Sequence, residues 1–535
     1  MTQARAPNRI RFPALQSVSN TDSSDCTGND MSQDLLDWTD VMALNDLPEE
    51  VITPFSIGDK ALVLYRSGDQ IRAFDGKCPH KGAPMEQGVA CRSLQGDVQL
   101  VCPWHKASFS AESGRLIEPP ALDPLNRYPV EVHDDRVLVG KQPMSQTAPA
   151  PMREHEFVAV IGAGAAAIAA AVTLREEGFA GRVVLVSPEP DLPYDRTALS
   201  KMVLGSGEEG APPPALRPAE WYDAHRIERL IDRAVNVDLE TRLITLEKGN
   251  PFTPDHILLA SGSRARKLDV PGATLEGVHG LRSAQDAQQI IAAVDKNTSV
   301  VVIGSGFIGM EAAAALRKRG AGVTVVSQSE LPFQKQLGDS VAGALRSLHE
   351  EKGVAFIASR KVKAIEGDKA VSAVTLDDGS TISANLVLAG IGASPVLDYL
   401  PDYAINNQGG LDVDESMRVA PHVYAVGDIA SMAHDGQRYR IEHWRTAQCQ
   451  ARIAARTMLG LPGGTLPVPW FWTQHYDRKI EYLGWPQSFD RVEIDGEADR
   501  FDFTARYLKG DKIVGLAMAG RPKEMAKEAV TFDDA

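Results

Sequence analysis

Two short segments each offer one thiol and one imidazole: Cys78-Pro-His80 and Cys102-Pro-Trp-His105. A [2Fe–2S] centre whose first iron binds two cysteines and whose second iron binds two histidines needs this set of side chains. Thiolates suit iron–sulfur chemistry, and neutral imidazole suits the second iron. The alternatives are a mononuclear zinc site made by the same four residues and four unconnected core residues. The two matched pairs favour the cluster.

The ligand segments follow two runs of β type, Ile71–Phe74 and Val98–Val101, so we expect two hairpin tips to hold the cluster between them. Residues 41–140 resemble the Rieske ferredoxin domain, and the resemblance implies its all-β fold. The sequence departs from that domain at two points. Lys106 replaces a usual glycine, and the 21 residues from Lys81 to Val101 form a longer spacer than usual.

The residues around the ligands predict a low reduction potential. High-potential Rieske proteins, which these segments resemble, add a disulfide and two hydroxyl donors beside the cluster. Here Ala83 and Trp104 stand at the positions of the disulfide cysteines, and Ala107 and Phe109 at those of the serine and tyrosine donors. Because fewer hydrogen bonds stabilise the reduced cluster, we expect a low potential.

The rest of the chain must position this cluster. With 535 residues, 43% of them hydrophobic and 24% charged, it is predicted to be a soluble protein of three or four domains. No apolar run reaches the roughly 18 residues of a membrane span, and the net charge of −15 argues against nucleic acid as a partner. Cys26, Cys91 and Cys449 remain, an odd number without a disulfide framework, so we expect a reducing compartment, the cytoplasm.

The N-terminal segment, residues 1–40, is predicted to be disordered because it is polar and irregular. Arg5, Arg9 and Arg11, with no acid before Asp22, also resemble an organellar transit peptide. The alternative is that the native protein starts later and that this segment is an extension before its true first residue.

A second chemical motif begins at Phe157, where an apolar strand, a glycine turn and an Ala-rich helix follow one another. Gly162, Gly164 and Ala167 give the G-x-G-x-x-A form of the dinucleotide fingerprint. The first glycine makes the turn, the second lets the backbone approach a pyrophosphate, and the small third residue packs the helix on the strand. The helix N-terminus then faces the phosphates. Glu189 follows the next strand, placed to bind ribose hydroxyls.

A similar unit lies about 140 residues further on, in the stretch from Ser299 to Gly320. Its glycines are Gly304, Gly306 and Gly309, again between a strand and a helix. Two such units imply two nucleotides in one chain. The strand that follows ends at Ser327, where NAD-preferring enzymes often have an acid, and no obvious arginine for a 2′-phosphate is present. The choice between NADH and NADPH therefore stays open, with a weak preference for NADH.

Further motifs carry a family resemblance. LPYDRTALSK at Leu192–Lys201, LLASGS at Leu258–Ser263, GFIGMEAA in the second unit and YAVGD at Tyr424–Asp428 occur in this order. Together they resemble the ferredoxin-reductase-like, pyridine-nucleotide-dependent flavoproteins. With the Rieske-like region in front, the chain from about residue 41 is similar to Rieske-fused, apoptosis-inducing factor-like members of that family.

The resemblance implies a multidomain fold. An all-β Rieske domain precedes an α/β reductase with two Rossmann-like dinucleotide-binding domains and a small α+β C-terminal domain. The predicted segments are 41–140 for the Rieske domain, 141–154 for a Pro- and Ala-rich linker, 155–275 and 406–465 for the FAD-binding domain, 276–405 for the NAD(P)-binding domain and 466–535 for the C-terminal domain.

The resemblance also implies roles for individual residues. Glu311 matches the acid that pairs with the flavin-side lysine, so we expect an ion pair between Lys201 and Glu311. The alternative for Glu311 is a solvated surface position. The residues implied to bind FAD are Gly162, Gly164, Ala167, Glu189, Arg196, Lys201, Ala260, Gly262, Gly427 and Asp428, and those implied to bind the nicotinamide dinucleotide are Gly304, Gly306 and Gly309.

Two aromatic segments resemble the walls of the flavin and nicotinamide rings: IEHW, which ends at Trp444, and PWFW, which ends at Trp472. Trp472 is expected near the transferred hydride. The alternative is that these tryptophans belong to the core.

One absence shapes the expected mechanism. No Cys-x-x-Cys follows either fingerprint, so no redox disulfide is expected. FAD accepts two electrons as a hydride and can release them singly to a one-electron cluster. The expected path runs from NAD(P)H to FAD, to the cluster and to an external acceptor, such as an oxygenase or another ferredoxin. The competing hypothesis is an NAD(H)-responsive redox sensor with low turnover, and the chain is expected to be a monomer or a homodimer.

Overall fold

A computed structural model describes residues 37–145, 149–206 and 212–532 of the chain. The predictions for residues 1–36, disorder or a transit peptide, lie outside the described residues. The first strand begins at Trp38. Residues 38–40, which were predicted to be disordered, belong to this strand, because Trp38–Ala43 pairs with the last strand of the Rieske-like domain.

The N-terminal domain is all-β, with three antiparallel sheets in the orders β1-β11-β10, β2-β3-β4-β9 and β5-β6-β7-β8. Its core includes Phe74, Leu100 and Phe109, which are fully buried. The strands are β1 (Trp38–Ala43), β2 (Thr53–Ile57), β3 (Lys60–Ser67), β4 (Gln70–Asp75), β5 (Val89–Arg92), β6 (Val98–Val101), β7 (Ser108–Ser110), β8 (Leu116–Glu118), β9 (Arg127–Tyr128), β10 (Val130–His133) and β11 (Arg136–Gly140).

The domain that was predicted to bind FAD, called the FAD-binding domain below, is built on a six-stranded sheet in the order β14-β13-β12-β17-β30-β29, parallel except at β29. Its first part contains β12 (Phe157–Ile161), α1 (Ala165–Glu176), β13 (Arg182–Ser187), α2 (Ala219–Ala224), β14 (Ile227–Ile231), β15 (Ala234–Val237), β16 (Ile244–Leu246), β17 (His256–Leu259) and β18 (Ser263–Ala265). Strand β12 is apolar throughout because helices cover both faces of a parallel sheet.

The dinucleotide-binding domain repeats this plan with a parallel sheet in the order β19-β26-β20-β21-β22. Its elements are β19 (Val278–His279), α3 (Ala284–Ala293), β20 (Ser299–Ile303), α4 (Phe307–Lys318), β21 (Gly322–Val326), α5 (Gln334–Glu351), β22 (Val354–Ile357), β23 (Val362–Gly367), β24 (Val371–Leu376), β25 (Thr381–Ser383), β26 (Leu386–Ala389) and β27 (Ala393–Pro395).

The chain then returns to the FAD-binding domain and ends in a five-stranded antiparallel sheet, β33-β34-β37-β36-β35. The returning elements are β28 (Leu411–Asp412), β29 (Arg418–Ala420), β30 (Val423–Ala425), β31 (Ala430–His434), β32 (Gln437–Arg440) and α6 (Trp444–Met458). The C-terminal domain consists of β33 (Trp470–His475), β34 (Arg478–Gly484), β35 (Arg491–Glu497), β36 (Asp502–Lys509), β37 (Lys512–Ala519) and α7 (Pro522–Thr531). In the part of the chain that the structure covers, no helix is long and apolar enough to cross a membrane.

The predicted fold class is confirmed: an all-β domain precedes an α/β reductase with two Rossmann-like domains and an α+β C-terminal domain. The alanines of α1 are nearly all buried, which lets α1 pack closely against α6. Three places in this fold position the site: the loop tips after β4 and β6, and the first residues of β33.

Candidate functional site

The two ligand segments share one loop conformation. In each, the cysteine N–H donates to the carbonyl of an alanine five residues on, Cys78 to Ala83 at 2.8 Å and Cys102 to Ala107 at 2.9 Å. Both alanines are buried, so neither loop tip has room for a larger residue there. The sequence folds the two tips in the same way, and the loops present their thiols at equivalent positions.

The residue four positions after each cysteine has a left-handed backbone: φ is +72° at Gly82 and +59° at Lys106. Glycine adopts this conformation freely, whereas an L-residue there costs about 1–2 kcal/mol. The substitution of lysine for a usual glycine is thus a strained one. The Lys106 side chain is fully buried, so its contacts must offset both the strain and the desolvation of its charge.

The four predicted ligands lie together in two pairs. The thiols of Cys78 and Cys102 are buried and close enough to shift each other's pKa, and the rings of His80 and His105 are 4.9 Å apart between centroids. His80 Nδ1 is buried and has no hydrogen-bond partner in the described chain. Burial lowers the pKa of His80 to about 4, so its imidazole is neutral, as a metal ligand must be.

These donors fit a two-iron centre, since each iron takes only two protein ligands. Within residues 37–145, 149–206 and 212–532, no group of three or more His, Cys, Asp or Glu side chains is arranged to hold a single metal ion.

The first glycine loop has the shape that a dinucleotide requires. Gly162 has φ +128°, and a Cβ there would lie 2.2 Å from the Ala260 carbonyl oxygen, so only glycine fits the turn. A Cβ on Gly164 would meet nothing within 4 Å, which leaves open space at the N-terminus of α1. That space fits a pyrophosphate held by main-chain N–H groups. Ala167 is fully buried against the sheet, as helix–strand packing needs.

The structure joins Glu189, expected at the ribose, to Arg196, expected at the flavin. Arg196 donates to Glu189 Oε1 at 2.5 Å, and the hydroxyl of Tyr194 donates to Glu189 Oε2 at 2.7 Å. The Tyr194 hydroxyl also accepts from the N–H of Ala284 in α3. This network fixes the LPYDR segment between the two nucleotide-binding domains.

Asp428, expected at the FAD, lies beside the Leu258–Ser263 segment. Its Oδ2 accepts from the Ser263 hydroxyl at 2.6 Å and from Arg282 at 2.7 Å. Gly427 has φ +75° and donates its N–H to the side chain of Gln450 in α6. Arg282 and Gln450 carry no motif signal in the sequence, because both act from elements far away along the chain.

Lys201 Nζ lies 2.7 Å from Glu311 Oε2, the contact expected from the sequence. Lys201 belongs to a single π-helical turn, Leu199–Val203, and such turns are frequent at functional sites. Glu311 is only 5% exposed and also accepts from the hydroxyls of Ser200 at 2.6 Å and Thr473 at 2.8 Å. Glu311 is therefore not a solvated surface residue.

The second glycine loop closes in the same way as the first. A Cβ on Gly304 would lie 2.5 Å from the Gly390 carbonyl oxygen, and one on Gly309 would lie 2.3 Å from the Gly304 carbonyl oxygen, whereas Gly306 faces open space. Beside it, the Ser327 hydroxyl accepts from Ser305 at 2.9 Å. The cavity there is also lined by three basic residues that the sequence did not single out, Lys335, Arg360 and Lys361.

Comparison with known proteins agrees with this geometry. Residues 157–451 match the family model of the pyridine nucleotide-disulphide oxidoreductases, residues 37–129 match the Rieske [2Fe-2S] domain, and residues 470–532 match the reductase C-terminal domain. The chain belongs to the pyridine nucleotide-disulphide oxidoreductase family. It is an oxidoreductase whose cofactors are FAD, a nicotinamide dinucleotide and a [2Fe–2S] cluster.

Three relatives of this oxidoreductase illustrate the range of the family. Apoptosis-inducing factor 3 of Homo sapiens is 32% identical over 498 residues, which cover 89% of this chain and 81% of that protein. The ferredoxin reductase component of the chlorobenzene dioxygenase of Cupriavidus sp. (strain PS12) is 36% identical over 71% of this chain and 89% of its own length. A solved structure, the covalent putidaredoxin reductase–putidaredoxin complex, matches 71% of this chain and 93% of that chain with a TM-score of 0.66 and 27% identity.

In this oxidoreductase the Rieske domain packs on the C-terminal domain of the same chain. The ring of Trp472, at the start of β33, lies 4.8 Å from that of His105, and Trp470 stacks behind it at 5.3 Å. Trp472 was expected near the transferred hydride, and the structure places it between Trp470 and a candidate cluster ligand. Trp470 is fully buried, so the core interpretation holds for that tryptophan.

The two aromatic segments also meet. His443 precedes Trp444, which opens α6, and the His443 ring lies 4.5 Å from that of Phe471 in β33. Trp444 itself is half-buried. The IEHW and PWFW segments therefore line one region between the FAD-binding and C-terminal domains.

A buried ion pair joins the second ligand loop to β34. Lys106 Nζ lies 2.7 Å from Glu481 and donates to the Pro103 carbonyl at 2.7 Å. Glu481 is 4% exposed and is also 3.2 Å from Lys479, which donates to the carbonyl of Trp104. A buried charge pair is retained only where the partners are well placed, because each ion pays a desolvation cost of several kcal/mol.

The first ligand loop and its neighbours are tied to the FAD-binding domain. Lys81, the residue after His80, is paired with Asp195 of the LPYDR segment. The ion pairs across this boundary include Lys81–Asp195 at 2.8 Å, Asp123–Arg217 at 2.7 Å, Arg115–Glu177 at 3.2 Å and Glu118–Arg445. Both ligand loops are thus anchored, one at the flavin-side segment and one at the C-terminal domain.

Sequence reasoning missed the polar residues of β33. Thr473 and His475 are buried on one face of that strand, whereas Gln474 between them is exposed. The alternation of a strand with period two is a signal that both side chains face the interior. It does not indicate what they meet there, which is Glu311 from α4 and His349 from α5.

Acid should destabilise the fold through His349 and His475. Both are fully buried, and burial lowers the pKa of each to about 3. Above about pH 6.5 both are neutral in the folded and unfolded chain. Below it the unfolded chain binds protons that the folded chain does not. The free energy of unfolding should therefore fall by up to about 1.4 kcal/mol per pH unit for each histidine, down to about pH 3.

Denaturant unfolding at a series of pH values from 7 to 4.5 measures this slope. The variant His349→Gln should have a shallower slope than the wild type, and His133→Gln, at an exposed position, should match the wild type. Equal slopes in all three proteins would show that the buried histidines are protonated at little cost.

Proposed function

We propose that this chain carries electrons from NAD(P)H by way of FAD to its own Rieske cluster, and from there to an external acceptor. The observation that supports the proposal most directly is the packing of the His105 loop on Trp472 within one chain. When bound, FAD takes a hydride and releases electrons singly, and the cluster carries one electron at a time. The protein has to hold these groups at fixed separation.

The residues that would hold each group follow from the geometry. Cys78, His80, Cys102 and His105 would bind the two irons. Gly162, Gly164, Ala167, Glu189, Arg196, Ala260, Gly262, Gly427 and Asp428 would line the FAD site, with Lys201 and Glu311 at its flavin side and Trp444 as part of its wall. Gly304, Gly306 and Gly309 would hold the nicotinamide dinucleotide. Trp472 would fill the space between the reductase and the cluster loop, and so exclude water from the path.

The acceptor is proposed to be a ferredoxin or an oxygenase component. A relative 36% identical to this chain is the ferredoxin reductase component of a dioxygenase, and a structural relative is solved in complex with putidaredoxin. In this chain the Rieske domain already covers part of the C-terminal domain, so an external protein would receive electrons from the fused cluster. We place this reaction in the cytoplasm, with an organelle as the alternative, and fractionation of the cells tests the location.

The test is anaerobic mixing of the purified protein with NADH, and separately with NADPH. Flavin bleaching is followed optically and the cluster by EPR. We expect a reduced Rieske signal that grows at a rate compatible with turnover, because the cluster loop and the reductase are in contact. A bleached flavin beside a cluster that stays oxidised would overturn the proposed path.

A redox sensor is the second candidate, favoured by 32% identity with apoptosis-inducing factor 3 over 89% of this chain. A sensor would show slow turnover with every acceptor and a change from monomer to dimer on addition of NADH. Sedimentation with and without NADH separates the two functions.

A further inference from the structure

The proposed function leaves a proton to be removed. Oxidation of the donor is balanced as NAD(P)H → NAD(P)⁺ + H⁺ + 2 e⁻, and the cluster takes electrons one at a time. A one-electron acceptor such as a ferredoxin oxidises the cluster twice for each donor. One proton per donor must therefore leave the flavin side of the reductase by another route.

A buried chain of hydrogen bonds begins at the flavin side. Glu311, paired with Lys201 at Oε2, accepts from the Thr473 hydroxyl through Oε1 at 2.8 Å. The same hydroxyl lies 3.0 Å from His475 Nε2. His475 Nδ1 lies 3.2 Å from His349 Nε2. Glu311, Thr473, His475 and His349 are 5%, 1%, 0% and 0% exposed, so the chain runs through the interior of the protein.

The end of this hydrogen-bond series away from Glu311, at His349, approaches the protein surface. The ring of His349 lies 5.2 Å from that of Tyr476, which lines a surface pocket with Lys318, Lys352 and Arg317. His349 Nδ1 is buried and has no hydrogen-bond partner in the described chain. The two lysine ammonium groups lie about the Tyr476 ring at 6.0 Å from its centroid.

The direction in which each hydrogen bond of this series donates follows from the Glu311 carboxylate at its inner end. An ionised carboxylate only accepts, so Thr473 donates to Glu311, and its oxygen accepts from His475 Nε2–H. A neutral imidazole has a single N–H, so His475 Nδ1 accepts from His349 Nε2–H, and His349 Nδ1 carries no proton. Both histidines are therefore expected to be Nε2–H tautomers in the oxidised protein.

A purely structural role does not explain why this chain of hydrogen bonds is buried. Buried polar groups cost free energy unless every partner is present, and apolar residues of similar volume are often as stable. Here one nitrogen of His349 is left without a partner, so the network is incomplete as a structural element. Each member, however, can both accept and donate a proton in turn, as a proton shuttle requires.

We propose that Glu311, Thr473, His475 and His349 form a proton path from the flavin side of the reductase to the surface pocket at Tyr476. The path carries away the proton that remains when both electrons of the donor have left for the cluster. The arrangement with Nε2–H tautomers is the one left after a proton has moved outward. Before the next transfer, both imidazoles return to the Nδ1–H tautomer and the Thr473 hydroxyl turns toward His475 Nε2. Glu311 then gives a proton to Thr473, Thr473 gives its own to His475 Nε2, His475 gives one from Nδ1 to His349 Nε2, and His349 releases one from Nδ1. The inference rests on the proposed function for the source of the proton.

The first test measures proton release directly. The holoprotein is mixed anaerobically with NADH and ferricyanide, a one-electron oxidant, in weak buffer with a pH-indicator dye. Because ferricyanide also accepts electrons directly from reduced flavin, the assay does not depend on the route through the cluster. We expect His349→Gln and His475→Gln each to slow proton release at least tenfold and to raise its solvent isotope effect, and the double variant to be no slower than the worse single one.

Three comparisons separate the loss of the proton path from a loss of folding. His256→Gln removes a buried histidine whose ring meets that of His422 edge to face in the FAD-binding domain, and it should release protons at the wild-type rate. Thr473→Ser keeps the hydroxyl and should behave as wild type, whereas Thr473→Val should be slow. Added imidazole should accelerate His349→Ala. Proton release that keeps pace with electron transfer in every variant would overturn the path.

The second test needs no turnover. ¹⁵N-histidine NMR of the oxidised protein, assigned by the signal lost in each variant, should show Nε2–H tautomers at His349 and His475. An Nδ1–H tautomer at His475 would contradict the hydrogen-bond order. A protein with the expected tautomers but an EPR-silent cluster after NADH would refute the electron path and leave the hydrogen-bond chain intact.

Discussion

Replacing Cys102 by alanine should abolish the Rieske EPR signal and lower electron transfer to a ferredoxin acceptor at least a hundredfold. NAD(P)H should still bleach the flavin at close to the wild-type rate. Each iron of the cluster takes two protein ligands, so the loss of one thiolate prevents assembly. The flavin-side residues Lys201 and Glu311 and the second glycine loop lie on other domains and keep their contacts.

Cys91→Ser provides the matched control. Cys91 is a free cysteine in β5 of the same domain, half-buried and paired in register with Gln99 rather than with a ligand loop. It should keep the EPR signal and the full rate. If Cys102→Ala still reduced the ferredoxin at the wild-type rate, electrons would leave the flavin directly, and the cluster would have no part in turnover.

The cluster ligands were predictable because their chemistry is local. Cysteine and histidine two or three residues apart, each after a short β run, define the loop without reference to the rest of the chain. Even the departure at Lys106 was visible. Its meaning was not, because the partner Glu481 is 375 residues away and appears in the sequence as an ordinary charge in a strand.

The reductase fold was predictable for a related reason: glycine spacing, apolar strands and family motifs recur in a fixed order. The Lys201–Glu311 contact, across 110 residues, came only from the resemblance. His349 and His475 carried no motif at all. The strand period indicates that His475 faces inward, but which helix face covers it depends on how β33 packs against α4 and α5, and that packing is a property of the folded chain.

The second large effect is expected at Lys106. Lys106→Gly should leave the cluster assembled, with the wild-type EPR spectrum, yet slow electron transfer from flavin to cluster at least fivefold. Glycine fits the left-handed backbone at φ +59° without strain, a gain of about 1–2 kcal/mol. Removal of one partner from a buried ion pair costs about 3–5 kcal/mol. The loss exceeds the gain, and it falls on the contact between the Rieske and C-terminal domains.

The size of the effect follows from the difference between the free energy lost with the ion pair and the free energy gained by relief of the backbone strain. A net loss of about 1–4 kcal/mol lowers the docking equilibrium by a factor of roughly 5 to 1,000, since each 1.4 kcal/mol is tenfold. Stopped-flow absorbance measures flavin-to-cluster transfer, and hydrogen exchange at β33 and β34 measures docking. Both should change together. The ion pairs Lys81–Asp195 and Asp123–Arg217 still hold the far side of the domain, so the Rieske domain should open at this edge first.

A double-mutant cycle isolates the pair from the backbone. Lys106→Met keeps most of the side-chain volume, Glu481→Gln keeps the shape of the acceptor, and the double variant removes both charges. The double variant removes both charges of this pair and takes the partner only from Lys479, which is partly exposed, so it should recover part of the rate lost in either single variant. Unchanged transfer rates and unchanged exchange in Lys106→Gly would show that Trp472 and the other ion pairs suffice. A lysine at a strained position where glycine is usual favours a Rieske domain that stays docked on the C-terminal domain through turnover. The external acceptor would then bind near the docked cluster.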